Sequence, residues 1–96
     1  MKSDELKNVI KNTSGLLLVD FYADWCGPCK VINQMLEKVK NKLTVVKINA
    51  DTDQKLLEEY HVSALPTLMF YKNGQLVDKT VGVPGGSFER KIDSLL

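Results

Sequence analysis

The segment VDFYADWCGPCK, residues 19–30, decides how this chain is interpreted, because it joins an apolar run to a helical pattern through two closely spaced cysteines. The run from Leu16 to Tyr22 is apolar on both alternating faces, which is typical of a central strand covered by helices on each side. After Cys29, apolar residues recur at the spacing of a helix. We therefore expect a buried strand, a short turn and a helix, with Cys26 and Cys29 at their junction.

Outside this segment, the chain alternates between helical and strand-like patterns. A first amphipathic helix is expected to start with Ser3 as its cap and to end at Thr13-Ser14-Gly15, and Asn73-Gly74 is typical of a tight hairpin turn. The other predicted elements are strands at Thr44 to Ile48, Thr67 to Tyr71 and Gln75 to Val81, a helix capped by Asp51 to Asp53, and a final helix capped by Ser87. The order α β α β α β β α predicts an α/β fold, with a mixed central sheet of about four strands flanked by four helices on both faces.

The composition is that of a single globular domain spanning residues 1–96, with 44% hydrophobic and 26% charged residues. The formal net charge of +1 comes from 13 scattered basic and 12 acidic residues, which disfavours nucleic acid as a partner. No apolar run is long enough to span a membrane, and acidic residues stand where a signal peptide would become apolar. We therefore expect a cytoplasmic monomer, in a reducing compartment where closely spaced cysteines are more often catalytic than structural.

The two cysteines can close a small disulfide ring and open it again with little backbone movement. Cys26 would lie at the positive end of a helix, near backbone N–H groups without partners, and both features stabilise a thiolate. This assigns Cys26 as the nucleophile and Cys29 as the resolving thiol. Gly27 leaves room for a substrate backbone, and Pro28 removes one N–H that would otherwise stabilise the thiolate further, which favours a reductant over a strong oxidant.

Other interpretations of these residues remain open from the sequence. The cysteines could form half of a zinc site, although His61 is the only other soft or borderline ligand, or they could be inert buried thiols. His61 is expected to satisfy a helix end or to face solvent. Asp51 and Asp53 resemble part of a calcium loop but lack its later glycine and glutamate, so capping is the better interpretation.

Asp20 is the anomaly in the apolar run. A carboxylate buried there carries a desolvation cost of several kcal/mol unless it is protonated or paired. As a carboxyl of raised pKa beneath the cysteines, it could accept the proton of Cys29 when that thiol attacks. Lys47 interrupts the next strand and could be its partner, although an exposed lysine is nearly as plausible there. An Asp at a locally wet strand position is the alternative for Asp20.

Several segments, taken together, resemble the thioredoxin family in order and spacing. They are the segment at residues 19–30, Leu65-Pro66-Thr67, Lys72-Asn73-Gly74 and Val81-Gly82. The sequence Trp-Cys-Gly-Pro-Cys at residues 25–29 is far more specific than a bare pair of spaced cysteines. The resemblance runs from about residue 4 to residue 96.

Many members open with an additional short strand, for which too few residues precede Leu6, so a four-stranded sheet is expected. Tyr22 stands where many relatives have tryptophan, and Pro84-Gly85-Gly86 alters the loop before the last helix.

The resemblance implies a protein-disulfide reductase and electron carrier that needs no cofactor beyond its redox-active Cys26–Cys29 disulfide. It also implies that Asp20 is the buried acid/base group with Lys47 nearby, and that Pro66 is a cis proline. A target disulfide would dock on residues around the cysteines, namely Trp25, Leu65, Pro66, Gly82 and Val83. An NADPH-dependent flavoprotein thioredoxin reductase would recharge the protein, and targets would include ribonucleotide reductase or peroxiredoxins. A non-catalytic binding or accessory subunit of the same fold is the alternative.

Overall fold

The computed structural model describes all 96 residues as eight elements in the predicted order. The helices are α1 (Ser3–Asn12), α2 (Gly27–Val39), α3 (Gln54–Glu59) and α4 (Phe88–Leu95). The strands are β1 (Leu16–Tyr22), β2 (Thr44–Asn49), β3 (Thr67–Lys72) and β4 (Gln75–Val81). None of the helices combines the length and the apolar character that crossing a membrane requires.

The four strands form one mixed sheet in the order β2-β1-β3-β4. Strand β1 runs parallel to β2 and antiparallel to β3, and β3 pairs antiparallel with β4. The hairpin between β3 and β4 turns at Asn73 and Gly74, whose φ angles are 54° and 81°. Two consecutive positive φ angles are what a tight type I′ hairpin requires, and this explains the Asn-Gly pair. The predicted mixed four-stranded sheet is confirmed.

Helices cover both faces of the sheet because β1 and β3 are apolar on both sides. On one face, α2 and α4 pack in a buried cluster with Leu16, Leu18, Leu68 and Phe70. On the other face, α1 and α3 pack in a second cluster with Leu17, Val19, Phe21, Ile48, Met69 and Tyr71. Alternate residues of β1 therefore enter different clusters, as a strand covered on both faces requires.

The direction of β1 determines which end of the sheet carries the cysteines. Its last residue, Tyr22, precedes the turn into α2, and the antiparallel pairing of Phe21 with Thr67 brings the start of β3 to the same end. At the opposite end, β3 finishes at Lys72, whose ammonium donates to the carbonyls of Leu95 and Leu96 at 3.2 and 2.6 Å. The final residues of the chain therefore lie at the end of the sheet far from the cysteines.

Three details of helix capping differ from the sequence-based predictions. Helix α1 includes Ser3, and its cap residue is Lys2; the Ser3 hydroxyl instead donates to the Glu59 carboxylate at 2.7 Å. Asp53 and Ser87 do occupy the cap positions of α3 and α4, but neither side chain makes a capping hydrogen bond. The Asp53 carboxylate accepts from the terminal amine of Met1 at 2.8 Å, so a long-range ion pair replaces the local cap.

Candidate active site

The two cysteines lie at the start of α2 and form a disulfide, with their Cα atoms 5.3 Å apart. Cys26 is the cap residue of the helix, and Pro28 occupies its first turn. The backbone N–H of Cys29 donates to Cys26 Sγ at 3.2 Å. Because this donor belongs to the positive end of a 13-residue helix, the same geometry stabilises a thiolate on Cys26 when the disulfide is reduced.

The disulfide is largely enclosed, although it borders an open groove. Cys26 is 5% exposed and Cys29 is 2% exposed, and both pack in a small buried cluster with Ala23 and Ala50. Cys26 is therefore the sulfur nearer to solvent. No three His, Cys, Asp or Glu side chains come together as a metal site.

A groove of about 520 Å³ runs beside Cys26. The groove is mainly apolar, and its walls come from the cysteine loop, the end of β2 and the segment that follows α3. Trp25, Cys26, Gly27, Pro28, Ala50, Asp51, Leu57, Val62, Ser63, Ala64 and Leu65 line it. The Trp25 side chain is 70% exposed, and its indole N–H donates to Asp51 Oδ1 at 3.2 Å. A large exposed aromatic beside a reactive sulfur suits the docking of a protein substrate.

The peptide bond between Leu65 and Pro66 is cis, and Pro66 is buried at the start of β3. The carbonyl of Pro66 accepts from the N–H of Gly82 at 2.8 Å, which fixes the loop after β4 beside the groove. Gly82 has a φ of +84°, a conformation that favours glycine. Val83 follows it and is 44% exposed, outside the lining of the groove. Of the five predicted docking residues, Trp25 and Leu65 line the groove, whereas Pro66, Gly82 and Val83 lie outside its lining.

Asp20 is fully buried on β1, and neither of its carboxylate oxygens has a hydrogen-bond partner. Its side chain lies on the α2 face of the sheet, between Leu18, which packs against α2, and Tyr22, which packs against the cysteine cluster. Burial raises the pKa of Asp20 to about 6, while the positive charge of Lys47 acts in the opposite direction. The burial and the raised pKa agree with the sequence prediction, and the locally wet alternative is wrong.

Lys47 lies beside Asp20 in the β1–β2 register, as expected, but the two side chains do not form an ion pair. Lys47 is exposed, and its ammonium donates to Asn33 Oδ1 at 2.6 Å. The exposed interpretation of Lys47 is therefore the one that the structure adopts. His61 is also exposed, and its backbone N–H donates to the carbonyl of Glu58 at the end of α3, as predicted.

The sequence reasoning did not identify Asp51 as part of the groove, having assigned it to a helix cap. A signal was present, because Asp51 follows β2, and β2 runs parallel to β1. The carboxyl ends of parallel neighbours meet at one edge of a sheet, so residues after β2 were bound to lie near the residues after β1. Val62, Ser63 and Ala64 also line the groove, but nothing about these uncharged residues in the sequence indicated a functional role.

The fold and the site together define a thiol-disulfide oxidoreductase, with a redox-active disulfide at a strand-to-helix junction beside a mainly apolar groove. The family model described as Thioredoxin matches residues 1–94. The chain belongs to the thioredoxin family, and it is a disulfide reductase.

Individual relatives agree with this family assignment. The chain is 45% identical over 78 residues to thioredoxin from Chlamydia pneumoniae, covering 78% of this chain and 76% of the relative. A thioredoxin variant from Halobacterium salinarum superposes with a TM-score of 0.87 at 33% identity, over 99% of this chain and 86% of its own. A solved chain from work on the thiol-resolving mechanism of yeast mitochondrial 1-Cys peroxiredoxin via the glutathione and thioredoxin systems gives a TM-score of 0.85 at 33% identity. The covered shares are 98% of this chain and 91% of that one.

Proposed function

We propose that Cys26 is the attacking thiolate, that Cys29 resolves the mixed disulfide, and that Asp20 accepts the proton of Cys29. One observation carries the assignment of the two sulfurs. Cys26 is the cap residue of α2 and receives the N–H of Cys29 at 3.2 Å, whereas Cys29 lies inside the helix and is 2% exposed. The more accessible and better stabilised sulfur is the one that attacks.

The reaction proceeds as two exchanges. In the first, the Cys26 thiolate attacks one sulfur of a target disulfide, forms a mixed disulfide, and releases the other target sulfur as a thiolate. In the second, Cys29 transfers its proton to Asp20 and attacks Cys26 Sγ, which releases the second target thiolate and restores the Cys26–Cys29 disulfide. The target gains two electrons, and the dithiol of this protein loses them.

The groove beside Cys26 supports a docking role for its neighbours in the first exchange. Trp25, Leu65 and Pro66 would hold the target chain, while Gly27 leaves space for its backbone and Gly82 borders it. The exposed Val83 would extend this surface. The two electrons are carried by the Cys26 and Cys29 dithiol itself, so the exchange requires no bound cofactor, and Pro28 favours the reducing direction by withholding an N–H donor.

The cellular setting is part of the same proposal. The protein would act in the cytoplasm as an electron carrier, and an NADPH-dependent thioredoxin reductase would return it to the dithiol form. Disulfide-containing proteins such as ribonucleotide reductase or peroxiredoxins would be its targets. The similar solved chain from work on a mitochondrial peroxiredoxin supports the second of these target classes.

Trapping tests the order of the two sulfurs. The variant Cys29→Ser should accumulate mixed disulfides with its targets through Cys26, which mass spectrometry of the captured proteins would identify. The matched variant Cys26→Ser should capture none and should lose reduction of insulin disulfides. Capture of the same targets by both variants would contradict the assignment.

The competing function is a binding subunit whose cysteines are dispensable. If Cys26→Ser lost insulin reduction and yet supported normal growth of a strain that depends on this protein, binding rather than exchange would be the essential activity. Loss of both would support the reductase.

A further inference from the structure

Asp20 and Lys47 carry opposite charges on neighbouring strands, and yet they do not form an ion pair. Asp20 and Lys47 are paired positions on the neighbouring strands β1 and β2, so their side chains leave the same face of the sheet. Neighbouring strands lie about 4.8 Å apart, which is within the reach of a lysine side chain. An ion pair would therefore be sterically accessible, yet both Asp20 oxygens are without a partner.

The Lys47 ammonium is held elsewhere by two neighbours. Asn33 on α2 accepts a hydrogen bond from Lys47 Nζ through its amide oxygen at 2.6 Å. The same ammonium lies over the ring of Tyr22, 5.7 Å from the ring centroid, which is a cation–π contact. Both contacts keep the Lys47 ammonium at the solvent-exposed edge between the sheet and α2.

We propose that Asn33 is a positioning residue that, with the ring of Tyr22, holds the Lys47 ammonium out of hydrogen-bonding reach of Asp20 and so leaves that carboxyl free to accept the proton of Cys29. This proposal rests on the proposed function of Asp20. The contact matters because a buried carboxylate paired with lysine would be stabilised in its ionised form, and an ionised carboxylate that is well stabilised is a weak base.

The other groups around Asp20 offer it no competing charge. Strand β3 contributes the apolar Leu68 beside it, and Tyr22, two residues further along β1, packs against the cluster that holds the disulfide. Further along α2, the exposed Glu37 makes an ion pair with Lys40 at 2.8 Å, which lowers its pKa, and the charge of Lys47 adds a smaller effect in the same direction. On α4, Glu89 and Asp93 pair with Lys42 and Lys91 pairs with Asp78, while Arg90 is exposed. Lys47 is thus the cation whose position controls Asp20.

Removal of the Asn33 side chain should let the Lys47 ammonium move toward the Asp20 carboxyl. In Asn33→Ala the ammonium loses its acceptor, and once Asp20 ionises, the carboxylate is an opposite charge within reach on the paired strand. An opposite charge at close range lowers a carboxyl pKa by about 1 or more. Alanine is also the residue that best preserves the helix, so the variant should fold.

Carbon-13 NMR titration of the Asp20 side-chain carboxyl in the oxidised protein measures this directly. We expect the titration midpoint in Asn33→Ala to fall by about 1 pH unit relative to the unmodified protein. Gln34→Ala is the matched control, because Gln34 is the exposed neighbouring amide on the same helix, and its midpoint should not move. An unchanged or higher midpoint in Asn33→Ala would overturn the proposal.

A double-variant comparison separates positioning from a general structural effect. Lys47→Met should raise the Asp20 midpoint, because the cation that opposes burial is gone. In the Lys47→Met background, Asn33→Ala should have no further effect. A shift of equal size in both backgrounds would mean that Asn33 acts independently of Lys47, and the proposal would be wrong.

Kinetics distinguish failure of this proposal from failure of the proposed function. If Asp20 accepts the proton, the acidic limb of the pH profile for mixed-disulfide resolution should move to lower pH in Asn33→Ala by the same amount as the NMR midpoint. If Asp20→Asn leaves resolution unaffected, the acid/base role of Asp20 is wrong, and with it the catalytic consequence drawn for Asn33. The NMR titration still decides independently whether Asn33 positions Lys47.

Discussion

Replacement of Asp20 by asparagine tests the energetic cost of the buried carboxyl. The change keeps the shape of the side chain and removes its ability to ionise. In the structure, Asp20 is fully buried and its oxygens have no hydrogen-bond partners. A protonated carboxyl and an asparagine amide would therefore occupy the same site without either losing a hydrogen bond. The difference between the two proteins should therefore arise from ionisation, and it should depend on pH.

The magnitude follows from the raised pKa. Burial raises the pKa of Asp20 from 3.8 to about 6, and each pKa unit corresponds to about 1.36 kcal/mol, so the native state loses about 3 kcal/mol once pH is well above 6. A carboxyl whose pKa is raised by folding destabilises the native state progressively as pH rises from about 3.8 through about 6. Relaxation of the surroundings reduces the penalty, so we expect Asp20→Asn to gain 1 to 3 kcal/mol, in round terms about 2 kcal/mol, at pH 8.

Denaturant unfolding of the oxidised proteins at several pH values provides the assay. The stability gain of Asp20→Asn should be nearly complete at pH 7 and should shrink to under about 1 kcal/mol near pH 4, where the native carboxyl is protonated and the unfolded one, with a pKa of 3.8, is only partly ionised. Asp24→Asn is the matched control, because Asp24 is exposed two residues before Cys26, and its stability should change by less than about 0.5 kcal/mol. Destabilisation by Asp20→Asn at pH 8, or a gain that is independent of pH, would refute the reasoning.

Three further predictions concern the redox centre and the segment that borders it. In the reduced protein, Cys26 should alkylate faster than Cys29, with an apparent pKa below the ordinary thiol value of about 8.5; equal rates by mass spectrometry across pH would contradict this. Pro28→His should add a donor or a positive charge beside the Cys26 thiolate and make the protein more oxidising, so an unchanged or lower potential against glutathione would argue against it. His61 has a φ of 57° just after α3, so His61→Gly should raise the free energy of unfolding by about 0.5 to 1 kcal/mol. A loss of stability in urea unfolding would show that the His61 side chain contributes more than its backbone strain costs.

The fold was largely predictable because its strongest signals are local and mutually consistent. The two-faced apolar run of β1, the helical spacing after Cys29 and the Asn73-Gly74 turn each specify one element without reference to distant residues. The position of Asp20 in a buried strand was predictable for the same reason. A strand that is apolar on both faces is covered on both sides, so a carboxyl within it is expected to be buried.

The remaining features depend on contacts between distant parts of the chain, which the sequence pattern does not encode. Ser3 has the side chain of a good helix cap, but the Glu59 carboxylate across the gap to α3 offers a charged acceptor, and hydrogen bonds to charged groups are stronger. Lys47 could pair with Asp20 or turn outward, and its contacts in the folded protein, with Asn33 on α2 and with the ring of Tyr22, are not evident from the sequence pattern. The bond from Trp25 to Asp51 likewise needs the assembled edge of the sheet.

The Lys72 contact with the last two carbonyls has a practical consequence for attaching this protein to other objects. It places Leu95 and Leu96 at the end of the sheet opposite to the disulfide. A tether, a fluorophore or a resin linked at that point extends away from Trp25 and the groove. The amine of Met1, by contrast, is bonded to Asp53, two residues after the Asp51 that holds Trp25. Immobilisation at Leu96 therefore leaves the groove beside Cys26 open to the solution.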